Sequence, residues 1–126
     1  MTIGLATAHA NALLNIFRAT NFTAVTVYVQ LHTGDPGVAG TANTSAVTTR
    51  NSASFAAPAG GSMSLSAALT AWSMTASETI SHISLWDAAT GGSFLRSAAL
   101  TTSRTVISND TFTLSTLTLS YTPLAA

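Results

Sequence analysis

The sequence predicts a mainly β fold: an antiparallel β-sandwich or small jelly-roll-like barrel led by a single N-terminal helix. Three observations predict it. Only one stretch, near the N-terminus, carries helical periodicity. From Val25 onward, apolar and polar residues alternate in short runs set apart by turns rich in Gly and Pro. Neither βαβ alternation nor a solenoid-type repeat breaks that pattern. A chain of 126 residues is expected to be one domain. Residues 1–24 would form a helical arm and residues 25–126 the sandwich.

The helix is expected over Leu5 to Ala19. Ala6, Ala10, Leu13, Leu14 and Phe17 recur at helical spacing on one face, while His9, Asn11, Asn15 and Arg18 fall mostly elsewhere. Arg18 in the last turn suits the negative end of the helix dipole, and Asn21 is placed to end the helix. The face is narrow and half alanine, which suits close approach to a sheet or to a neighbouring subunit. Ala6, Ala10, Leu13 and Phe17 are therefore candidate interface residues.

In the first strand Val25, Val27, Val29 and Leu31 point one way and Thr26, Tyr28 and Gln30 the other, so a central position is expected. A sharp turn follows directly, Leu31-His32-Thr33-Gly34-Asp35-Pro36-Gly37. Pro36 pre-sets φ for the second position of a turn, and Gly37 supplies the positive φ that a type II turn needs next. From Asp35 to about Asn51 runs a polar loop, longer than most connections and expected to make contacts between subunits. Arg50 near its end is a candidate contact residue.

Pro58-Ala59-Gly60-Gly61 marks another turn, after which Met63, Leu65, Ala67 and Leu69 alternate with Ser62, Ser64 and Ser66. Ser81–Trp86 and Ser93–Leu100 flank Gly91-Gly92 and should pair as a hairpin. Thr111–Tyr121 reads as a second central strand in which Leu119 is buried. Its phase slips between Phe112/Leu114 and Leu117/Leu119/Tyr121. A bulge near Ser115-Thr116 would reconcile the two halves, and a strand buried on both faces is the alternative.

Composition narrows the function. Charged residues are 6% of the chain, against about 25% in an average soluble domain. All four basic residues are arginine (Arg18, Arg50, Arg96, Arg104), balanced by four acids (Asp35, Glu78, Asp87, Asp110). Nearly half of the residues are Ala, Ser or Thr. So neutral a surface suits a protein packed against copies of itself or against a partner. It does not suit nucleic acid, whose phosphates call for several cations on one face. Apolar runs are broken too early for a membrane span, and the N-terminus lacks the basic start of a signal peptide. Without cysteine or lysine, neither disulfides nor lysine isopeptide links are available.

The Leu31–Gly37 turn, followed by a second turn block, Trp86-Asp87-Ala88-Ala89-Thr90-Gly91-Gly92, resembles a family of small virion proteins of tailed bacteriophages. That family is labelled tail-fibre-like, minor tail or head-surface. The resemblance spans about Val25 to Leu119 and rests on turns, so it implies a structural role in a virion assembled in the host cytoplasm.

Candidate chemistry is sparse. His32 and Asp35 lie three apart, but a metal site needs further converging ligands, and His9 and His82 lie in other elements. Asp35 is read as a turn residue whose carboxylate caps its own backbone, and Gly34 belongs to the same turn. Asp87 is expected to accept backbone N–H groups in the Gly91-Gly92 turn. Trp86, on the opposite face from Ile83 and Leu85, is either sandwich core or a subunit contact. Nucleophile elbow, phosphate-cradling loop and paired glycosidase carboxylates are all missing. Asn21-Phe22-Thr23, Asn43-Thr44-Ser45 and Asn109-Asp110-Thr111 match the glycosylation pattern by chance in a chain so rich in Ser and Thr.

The expected function is a non-enzymatic phage structural protein without cofactor or metal. A capsid-surface decoration protein stands first, because neither coiled-coil heptads nor shaft repeats appear. A tail-fibre or minor tail protein is the alternative, and a carbohydrate-binding β-sandwich module is more remote. The expected partners are the chain itself, as a homo-oligomer, and other virion proteins such as the major capsid protein or tail proteins.

Overall fold

Short β-branched and hydroxyl-rich runs form the strands of the computed structural model, which describes residues 3–18 and 25–121. In chain order these are β1 (Gly4–Leu5), α1 (Thr7–Leu14) with a 3-10 turn (Asn15–Arg18), β2 (Val27–His32), β3 (Asn51–Ala53), β4 (Ser62–Ser64), β5 (Trp72–Ser73), β6 (Glu78–Trp86), β7 (Phe94–Val106), β8 (Thr111–Phe112) and β9 (Thr118–Ser120). The larger sheet has the order β1-β7-β6-β2-β3, and two ribbons, β4-β9 and β5-β8, complete the strands. All pairings are antiparallel. Val29, Leu31, Ile83 and Leu85 of the sheet join Trp72 and Phe112 of one ribbon in a single apolar core. This is the expected antiparallel β-sandwich.

β2 has a neighbour on each side, as its alternation requires. Val29 and Leu31 enter the core, while Gln30 and His32 are buried on the opposite face. The hairpin forms with Trp86 opposite Phe94 and runs further than expected, back to Glu78 opposite Val106. Its register slips where β6 steps from Ile80 to His82 while β7 steps from Arg104 to Ala99, a large bulge on β7.

Three expectations need correction. Thr111–Tyr121 is neither central nor one strand: its ends, β8 and β9, belong to different ribbons. The phase slip at Ser115-Thr116 is resolved by breaking the strand rather than by a bulge or by burial on both faces. The reason lies in the backbone partners, since the Leu114 carbonyl accepts from Leu69 N–H (3.0 Å) and the Leu117 carbonyl from Leu65 N–H (3.2 Å). Phe112 and Leu114 are buried, whereas Leu117 and Leu119 are only half-buried. The strand expected over Met63–Leu69 is cut to β4, because Ser66 and Leu69 turn to different backbone partners, Ser54 and Leu114.

The helix, too, is shorter than Leu5–Ala19. Leu5 belongs to β1, which extends the sheet by pairing with β7, and α1 has no side-chain cap at its start. Its predicted face divides: Ala6, just before the helix, is buried and donates to the Leu95 carbonyl at 2.8 Å. Ala10 and Leu13 are half-buried, while Leu14 and Phe17 stand in solvent. Alanines bring the backbone close to the sheet but fill little volume, so the longer side chains beyond them find no core. Ala19, Asn21 and the Asn21-Phe22-Thr23 match lie outside the described residues.

The difference between core and rim is measurable. Leu31→Ala is expected to cost about 2–5 kcal/mol, as for other fully buried leucines. Leu119→Ala, at a half-buried position in β9, should cost about 1 kcal/mol. Denaturant midpoints of the two variants check the ordering.

Candidate functional site

The long loop after β2 folds onto its own sheet. Asp35 Oδ1 accepts from Gly37 N–H at 2.9 Å, the carboxylate cap expected of this turn, and Gly37 has φ 75°. Pro36 is buried, and its carbonyl accepts from Ala42 N–H at 2.9 Å. Asn43, at φ 51°, donates from Nδ2 to the Asp35 carbonyl (2.8 Å) and accepts Thr33 N–H on its own carbonyl (2.8 Å). Gly34 lies against the Asn43 side chain. Further along, the Glu78 carboxylate accepts from the Ser45 hydroxyl and from Ala46 N–H.

Arg50 ties this loop to the hairpin tip. Its Nε donates to Gln30 Oε1 (3.0 Å), and its Nη1 donates to the carbonyls of Ala88 (3.1 Å) and Gly91 (2.6 Å). The guanidinium lies 3.8 Å from the centroid of the Trp86 ring, a cation–π contact. Trp86 is buried and tilts against Phe94 with ring centroids 5.5 Å apart. Phe94 in turn fills the space over Gly40, where a Cβ would come within 2.5 Å of the ring. Gly91 and Gly92 close the tip at positive φ, and Asp87 Oδ1 accepts from Ser93 N–H at 2.6 Å. The end of the long loop and the hairpin tip thus meet, through Arg50 on Trp86 and through Gly40 under Phe94.

His32 and Asp35 do not form an acid–base pair. The Ala42 carbonyl can only accept, so His32 Nδ1 carries the proton it donates there, at 2.8 Å. Nε2 then accepts from the Ser84 hydroxyl at 2.7 Å, and Ser84 Oγ accepts from Trp86 Nε1–H at 2.8 Å. Burial lowers the His32 pKa, with the charges of His82 and Arg50 acting the same way, against hydrogen bonds that the imidazole gives to the backbone at Ala42 and Asn43. The imidazole is a neutral strut. Neither Gln30, Ser84 nor Phe94 was singled out in the sequence: Gln30 and Ser84 sit at alternating positions that read as solvent-facing.

On the opposite face of the sheet, between it and the β4–β9 ribbon, lies an apolar groove of about 590 Å³. Leu5 and Leu13 of the N-terminal segment, Val25, Met63, Leu119 and Tyr121 line it. Arg96 also reaches it, and its Nε is buried without a hydrogen-bond partner among the described residues. His9 lies beside it with its pKa lowered by burial and by the Arg96 charge. Arg96 was missed in the sequence because, between Leu95 and Ser97, it reads as the outward residue of a strand. A second hollow, of about 630 Å³, lies between the outer half of β7 and residues 110–118 and is lined by threonines and apolar side chains in similar measure. Among the described residues there is no group of three or more His, Cys, Asp or Glu able to hold a metal, and no helix long and apolar enough to cross a membrane.

Two outcomes are expected. Arg50→Lys should lose the stacked, forked contacts and destabilise by about 1–3 kcal/mol, with faster hydrogen exchange across residues 33–45. His32 takes up a proton less readily folded than unfolded, so its contribution is fully present above about pH 6.5 and declines as pH falls toward its lowered folded pKa. Melting temperatures from pH 8 to pH 4.5 should therefore fall less steeply in His32→Gln than in the wild type.

The compared sequences bear on the same architecture. No curated protein matches the chain. Residues 4–122 match the family described as Podophage GP4 fiber I protein gp80. That match takes in β1, the stapled loop, the hairpin and both ribbons. The chain accordingly belongs to the Podophage GP4 fiber I protein gp80 family of phage virion structural proteins.

Proposed function

We propose that this chain is a non-enzymatic building block of a phage tail fibre, assembling with itself and with other tail proteins. The observation that carries the reading is the family match over residues 4–122, which names a fibre protein. It favours the tail-fibre alternative over the head-decoration role that length and the absence of shaft repeats had put first. A fibre component need not contain a whole fibre, and this chain has the size of one structural unit within it.

The site geometry supports a structural role. The polar groups gathered beneath the long loop hold one another: His32, Ser84, Trp86 and Arg50 each direct a donor at a neighbouring acceptor. A catalytic base would need a free lone pair facing a substrate, and His32 uses both ring nitrogens internally. What the arrangement supplies is a rigid loop and hairpin tip, suited to holding shape in an assembly.

Mild disruption of purified virions, followed by separation of heads from tails and quantitative mass spectrometry, tests this reading. The chain should enrich in the tail fraction at a copy number set by the fibres. Recovery with heads in hundreds of copies would return the decoration role to first place.

A further inference from the structure

We propose that two copies of this chain bind each other by inserting Phe17 of one copy into the apolar groove of the other, over Arg96. The proposal rests on the fibre reading only in requiring that the chain assemble with itself, and it names the contact. Phe17 is 88% exposed, and Leu14 and Ile16 beside it are 61% and 54% exposed. A bare aromatic ring flanked by two exposed aliphatic side chains is an unusual feature for a free monomer. It calls for a cover.

The same chain carries a receptor of matching chemistry. The groove of about 590 Å³ is walled by Leu13, Val25, Met63 and Tyr121. At Arg96 it holds a guanidinium whose Nε is buried with no hydrogen-bond partner among the described residues. A buried donor left without a partner is costly, and the face of an aromatic ring is one of the few apolar groups that attracts a guanidinium. An aliphatic plug would leave the cation unanswered, and an anionic one would have to give up its hydration among leucine and valine. A phenylalanine ring suits both the walls and the cation.

Position and charge favour a second copy as its source. Leu13 lines the groove, and Phe17 follows it by four residues at the end of the same helical segment, so knob and groove share one surface. A surface with both halves of a contact can pair reciprocally about a two-fold axis or close a ring head to tail. With a net charge of zero, two copies carry no net repulsion. Because the contact is built from apolar groups and one cation against a ring, it should depend only weakly on salt.

The absence of cysteine gives the full-length chain a clean background for a cross-linking test. One preparation carries Ile16→Cys, which leaves the Phe17 ring beside it in place, and a second carries Met63→Cys; they are mixed and oxidised. A disulfide joining the two species is expected, with little in a control mixture using Val38→Cys, a loop position that is 81% exposed and outside the groove. In parallel, sedimentation equilibrium should show the wild type self-associating, with Phe17→Ser weakening that association by roughly tenfold or more. Because Phe17 is exposed, Phe17→Ser should keep the wild-type melting temperature when measured at a concentration where both are monomeric. Arg96→Leu, which removes the cation but keeps apolar bulk, should weaken association as well.

A wild type that stays monomeric at millimolar concentration would overturn the contact. So would association unchanged by Phe17→Ser, or cross-linking no stronger than in the control. Each of these results leaves the fibre reading intact, since that stands or falls on where the chain is found in fractionated virions.

Discussion

Everything else in this fold depends on the pairing of β2 with β6, because there the sheet is dry on both faces. Val29, Leu31, Ile83 and Leu85 meet the apolar core on one side, while Gln30, His32, Ser84 and Trp86 are buried on the other. A strand pair shielded on both sides exposes no backbone to water and cannot shift register without bringing polar groups into the apolar core. The alternating residues of β2 are therefore committed twice over, once by hydrophobic packing and once by hydrogen bonding.

The second dry face explains why so long a polar loop follows β2. A loop is normally solvated, since its backbone groups need partners. Here those partners come from within: Asn43 serves Asp35 and Thr33, Glu78 receives Ser45 and Ala46, and His32 takes the Ala42 carbonyl. Arg50 then closes the structure by bridging Gln30 to the hairpin tip while stacking on Trp86. In a chain with only four arginines, one is committed to this internal junction, and that is consistent with rigidity as the function of the region.

The two faces of the large sheet contrast sharply. Beneath the loop, polar atoms are paired and the aromatic rings are covered. On the other face, between the sheet and the β4–β9 ribbon, Arg96 Nε is buried without a hydrogen-bond partner among the described residues, the groove beside it is apolar, and Phe17 stands in solvent. One side is finished by the chain itself. The other is the side on which the proposed contact between copies is built.

Much of this was legible in the sequence. Alternation located β2 and both arms of the hairpin, the turn residues located the cap at Asp35 and the tip at Gly91-Gly92, and the phase slip after Leu114 was real. These are local signals, set by φ preferences and by the two-residue period of a strand. What they could not decide was which segments would meet. Whether the slip became a bulge or a break depended on Leu65 and Leu69 capturing the Leu117 and Leu114 carbonyls, partners distant in the chain. Likewise Gln30, His32 and Ser84 alternate as solvent-facing residues do, and only the folded-back loop made them interior. The sequence by itself determined the elements and their turns, because sterics and periodicity act within a few residues. The tertiary structure alone decided which faces are dry, because burial depends on what packs against a strand from elsewhere in the chain.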